Sequence, residues 1–147
     1  MIHVGTIGRT EIYAAPDGWE CFVPIRDWHD ALPPMTPEEA AEVDAVYQGT
    51  RLRLPGDTSR PFRAPHNTIS PAGMFGRGYP GELRLAVRGT LVLPEAHLYR
   101  SAILRAIPKA LRTGPTPRAR VLVLPEREPA PPPLHACARR RCPALNN

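Results

Sequence analysis

Arg60-Pro-Phe-Arg-Ala-Pro-His-Asn-Thr-Ile-Ser-Pro-Ala-Gly73, followed by Pro80-Gly-Glu-Leu83 and Gly89-Thr-Leu-Val-Leu-Pro-Glu95, carries the strongest architectural signal in the chain. Its first part is rich in Pro, Gly and Arg and has little apolar period, so residues 51–81 are expected to form an ordered but irregular loop system. A run of that length inside a domain is functional, a linker or a misread element. The last part changes character. Thr90 to Leu93 is a short continuous apolar run, the pattern of a central parallel strand, and Leu83 to Val87 also reads as a strand.

Upstream, Thr36 is placed to cap a helix, with Pro37 at its first position and Glu39 completing a capping box. Ala40, Val43 and Tyr47 make one apolar stripe, and Gly49 suits the stop. Downstream, residues 97–111 carry Leu104, Ile107 and Leu111 on one helical face, but Pro108 predicts a kink or an early end at a cost of about 3 kcal/mol. Val121 to Leu124 reads as another strand. Residues 1–30 show short β-like apolar clusters, with Asp17-Gly18 as the expected turn between two strands. Gly8-Arg9-Thr10 is too short a match to the end of a phosphate loop to carry weight. Residues 130–147, Pro-rich and then basic, have too little apolar content to bury and are expected to be disordered.

Twenty prolines in 147 residues limit regular structure, while 42% hydrophobic residues allow a small core. No apolar stretch approaches a bilayer span and residues 1–6 lack the order of a signal peptide, so a cytoplasmic, membrane-free protein is expected. The formal charge is +5 and Lys109 is the sole lysine; the arginines are spread along the chain apart from residues 139–141. Such forks suit nucleic acid or an acidic protein face. Three cysteines without an export signal are expected to be reduced thiols. His135, Cys137 and Cys142 are the only grouping with ligand spacing, but a zinc site needs a fourth ligand and a folded frame, so no bound metal is expected.

The quoted block resembles one family, the magnesium-chelatase-like AAA+ proteins of the ComM/YifB type. Its members read approximately RPFRAPHHTISxAGLIGG and then PGEISLAHNGVLFLDE. Ala31-Leu-Pro-Pro-Met-Thr-Pro-Glu-Glu-Ala-Ala-Glu-Val43 extends the likeness, and Arg118-Ala-Arg-Val-Leu-Val-Leu124 resembles the entry to the family's sensor strand. The resemblance implies an α/β fold: a partial P-loop AAA+ core with a small parallel-type sheet, few helices and long Pro/Gly-rich loops. The expected organisation is an unmatched segment 1–30, a core fragment 31–129 and the tail 130–147. It also implies an ATPase with ATP and Mg²⁺ as cofactors, and an assembly of AAA+ subunits acting on DNA.

The chemistry of that family is not complete in this chain. Phosphate binding needs Gly-x-x-x-x-Gly-Lys-Ser/Thr, which occurs nowhere in the sequence. Pro94 stands where the resemblance implies a magnesium-binding Asp, leaving Glu95 as the remnant catalytic acid, and Glu128 stands in place of the sensor Asn. The expected protein is therefore a fragment unable to bind or hydrolyse ATP alone, with no cofactor. Arg60, Arg63 and His66 are its interaction candidates toward an intact AAA+ subunit. The alternative is a small basic nucleic-acid-binding protein with DNA as its partner.

Overall fold

The apolar run Thr90–Leu93 forms the fully buried strand β4 of a five-stranded sheet in the computed structural model of the chain. The structure describes residues 2–14, 25–115 and 117–124. Sheet order is β1 (Ile2–Ile7), β2 (Thr10–Ala14), β5 (Arg120–Val123), β4 and β3 (Phe62–Arg63). Only β1–β2 is antiparallel; β2, β5, β4 and β3 run parallel. The mixed α/β architecture fits a partial AAA+ core.

The N-terminal hairpin turns at Gly8, whose φ of 60° suits a residue without Cβ. The Gly8-Arg9 pair thus closes a hairpin and precedes no helix. Asp17-Gly18 lies outside the described residues. Register Ile12↔Val121 makes the hairpin part of the main sheet.

Helix α1 spans Ile25–Asp30 and α2 spans Pro37–Tyr47. The capping box is present in both directions: Glu39 N–H donates to Thr36 Oγ1 at 3.3 Å, and Thr36 N–H donates to the Glu39 carboxylate at 3.2 Å. Val43 and Tyr47 of α2 pack on Leu85 and Val87 in a small core of their own. Tyr47 Oη closes that core by donating to Leu85 O at 2.7 Å.

Two expectations are corrected here. Leu83 to Val87 is not a strand: α4 occupies Glu82–Leu85, held by local bonds such as Leu85 N–H to Gly81 O at 2.9 Å. Its alternation arises because Leu83 and Ala86 face the main core while Leu85 and Val87 face the α2 core. Nor does Pro108 end α5, which runs Ser101–Thr113. Ile103, Ile107 and Leu111 are all buried against Leu91, Leu93 and Val121, and that burial outweighs one lost helix bond.

The stretch 51–81 also contains more order than its composition indicates. Besides β3 it holds α3 (Pro71–Phe75), started by Ser70 accepting from Gly73 N–H at 3.0 Å. The Ser-Pro pair repeats the Thr36-Pro37 start, a signal the composition hides. The expected disorder of residues 130–147 concerns a segment outside the described residues.

Candidate functional site

In an open parallel sheet, ligands bind beyond the carboxyl ends of the strands. Here that end is made by Ala14 of β2, Leu93-Pro94-Glu95 after β4, and Leu124 after β5. Residues 15–24 connect β2 to α1 in the sequence. That connection reads Ala-Pro-Asp-Gly-Trp-Glu-Cys-Phe-Val-Pro, with one glycine and no lysine, and lies outside the described residues.

Glu95 is half-buried and left-handed, φ 49° and ψ 53°, at the start of a 3₁₀ turn over Ala96–Leu98. Leu124 N–H donates to Leu93 O at 3.2 Å, but Leu124 O accepts from Ala96 N–H at 2.7 Å. A regular parallel ladder would use the N–H of residue 95. One extra residue therefore bulges out after β4, and the Glu95 side chain leaves from a different angle than a continuing strand would give. The local helix is a single three-residue turn, so its dipole supports no anion site.

The retained block turns inward. Arg60 is surrounded by acceptors: its Nε donates to Pro33 O at 2.7 Å, Nη1 to Arg88 O at 2.7 Å, and Nη2 to Pro34 O at 3.3 Å and Glu39 Oε2 at 2.8 Å. Its side chain is only 12% exposed. Arg63 forks onto Glu82, Nε to Oε2 and Nη2 to Oε1, both at 2.6 Å. His66 is exposed and hydrogen-bonded to the Thr68 hydroxyl at 2.9 Å. The fold does not gather these three residues into one outward patch.

Several residues the sequence left unremarked complete the brace. Arg88, itself left-handed at φ 58°, pairs with Glu42 at 2.6 Å and with Glu39 at 3.1 Å. Burial pushes the Glu39 carboxyl up, but the Thr36 N–H and the Arg60 and Arg88 guanidiniums outweigh it and hold the acid below its usual range. His29 of α1 is buried between Thr90 Oγ1, at 2.8 Å from Nδ1, and Arg60 O, at 3.1 Å from Nε2. A carbonyl can only accept, so Nε2 carries the proton and Nδ1 accepts from the Thr90 hydroxyl. Burial lowers the pKa of His29 despite the Arg60 carbonyl. Tyr99 Oη donates to Pro65 O at 2.5 Å, and burial raises the phenol pKa to about 12.

No group of three or more metal-ligating side chains occurs among the described residues. His135, Cys137, Cys142 and Glu128 lie outside them. Among the described residues, no helix is long and apolar enough to cross a membrane.

Two curated proteins show the likeness in sequence. The chain is 36% identical over 88 residues to competence protein ComM of Haemophilus influenzae. It is 35% identical over 92 residues to the uncharacterized protein YifB of Salmonella typhimurium. Each match covers 56% of this chain but only 17% of the relative. Residues 21–122, from before α1 into β5, match the family described as magnesium chelatase, subunit ChlI. The match covers well over half of the sequence and the whole of the braced block, and on that ground the chain belongs to the magnesium chelatase ChlI family, as a ComM/YifB-type member.

Proposed function

We propose that this chain is a non-catalytic form of the family's ATP-binding core, unable to bind or hydrolyse ATP alone, which acts by docking beside an intact AAA+ subunit. The bulged Pro94-Glu95 end of β4 carries the reading. Phosphoryl transfer from Mg·ATP needs a backbone cradle with a Lys, a carboxylate to organise the metal and a group to position water. Pro94 offers neither a carboxylate nor an N–H, and Glu95 is carried out of line by the bulge. The β2–α1 connection supplies no lysine and too few glycines for a cradle. The donor set at this end of the sheet does not fit a magnesium nucleotide.

The frame around that end is nevertheless kept, with a buried core and the Arg60–Glu39–Arg88 network. Retention of a scaffold without its chemistry supports a role in association. Calorimetric titration of the full chain with Mg·ATP tests the first half of the proposal, and the expected result is no saturable heat. A magnesium-dependent micromolar isotherm, about −8 kcal/mol, would refute it. Co-sedimentation with an intact family member tests the second half, which fails if the two proteins migrate independently.

A further inference from the structure

The ion pairs of the fold divide its cations into two sets. Among the described residues, Arg26, Arg53, Arg60, Arg63, Arg88 and Arg120 each face a carboxylate. Of the described cations that do not, which include Arg9, Arg51, Arg77, Arg84, Arg100 and Arg118, Arg105, Lys109 and Arg112 line up along one helix, α5. They stand at i, i+4 and i+7 and are all exposed, opposite the buried stripe Ile103, Ile107 and Leu111. The helix contains no Asp or Glu. Along this row, Arg105 Nη2 donates to Ser101 Oγ at 3.3 Å.

We propose that the outer face of α5 is a docking surface for the phosphate backbone of duplex nucleic acid. Seven residues at 1.5 Å rise put Arg105 and Arg112 about 10 Å apart along the axis. A duplex strand advances about 3.4 Å of axis per phosphate, so the row spans about three phosphate steps and its three cations can each meet a different phosphate. Charge complementarity is one-sided: the nearest acid by sequence, Glu95, lies beyond the other end of the helix, while the fold's remaining carboxylates are mostly neutralised by the paired arginines. An anionic membrane fits less well, because interfacial helices insert their apolar face and that of α5 is already in the core. Single strands call for aromatic stacking platforms, and α5 has no aromatic residue. The face is the same whether or not ATP binds, so the inference does not depend on the nucleotide reading.

The test is fluorescence anisotropy of a labelled duplex of about 20 bp, titrated with the full chain without nucleotide. Three phosphate contacts give a salt slope of about −2.7, a loss of roughly 40-fold in affinity between 50 and 200 mM salt. The triple variant R105Q/K109Q/R112Q should lose most of that slope and of the low-salt affinity, since Gln keeps helix propensity while removing charge. R51Q/R77Q/R84Q removes the same charge from exposed sites elsewhere and should stay close to the parent protein. K109Q alone should reduce the slope by about 1, which keeps the test open if the triple variant loses its circular dichroism. The proposal is overturned if the two triple variants weaken binding equally, or if the parent binds without salt dependence or not at all.

Discussion

Arg60 shows how a residue chosen as a contact becomes a brace once its surroundings are known. Its guanidinium satisfies the carbonyls of Pro33, Pro34 and Arg88 and the Glu39 carboxylate, which tie the start of α2 to the turn before β4. Removing the fork would leave the three carbonyls without this donor, while the Glu39 carboxylate would keep the Thr36 N–H and Arg88. Arg60→Ala is expected to cost about 2–4 kcal/mol, read from the urea midpoint at unchanged m-value. Arg60→Lys should recover only part of it, because a point charge cannot reproduce the planar geometry. A variant as stable as the parent would refute the bracing role.

At the scale of elements, the approach of the β3 strand to β4 depends on Gly89. Thr90 N–H donates to Pro61 O at 2.9 Å, and Arg120 N–H donates to Gly89 O at 2.9 Å. A Cβ on Gly89 would meet Pro61 backbone atoms, the oxygen at 1.9 Å, so the two backbones could not come together. Gly89→Ala should therefore separate β3 from β4 and destabilise the fold by about 2 kcal/mol or more. Amide exchange at Thr90 is the direct reading, and unchanged protection there would count against the close approach. The same packing logic explains α5: Pro108 removes one donor, whereas the stripe at 103, 107 and 111 buries three large side chains.

For the whole molecule, His29 joins α1 to β4 and to the retained block, so its protonation bears on global stability. Its folded-state pKa is lowered from 6.5, which means the unfolded chain binds the proton more readily. Its contribution is complete above about pH 6.5 and declines as the pH falls below that value, levelling off below the folded-state pKa. Arg26, Arg60 and Asp30 are the charges that act on the ring, and the Thr90 hydroxyl is its polar neighbour. Glu39 and Asp57, both held below their usual ranges, lose their contribution in a separate and more acidic window. Denaturation midpoints should show two arms, and His29→Gln should remove only the one just below pH 6.5. Persistence of that arm in the variant would assign it to another group.

The α2 helix was legible from Thr36-Pro37-x-Glu39 because capping is a local exchange of hydrogen bonds between neighbours in sequence. Strand β4 was legible because a continuous apolar run has few other uses. The family likeness was likewise written in consecutive residues. Three things were not: the hairpin's place beside β5, the left-handed bulge at Glu95, and the division of arginines into braces and free cations. Each depends on which distant segments meet, as with Arg60 and Pro33 or Thr10 and the Pro117 carbonyl, 2.6 Å away. A guanidinium has the same composition whether it faces a carbonyl or water. Only the fold, by bringing acceptors from separate segments to Arg60 and Arg63 and, among the described residues, no carboxylate into an ion pair with α5, settled which cations brace it and which are left to its surface.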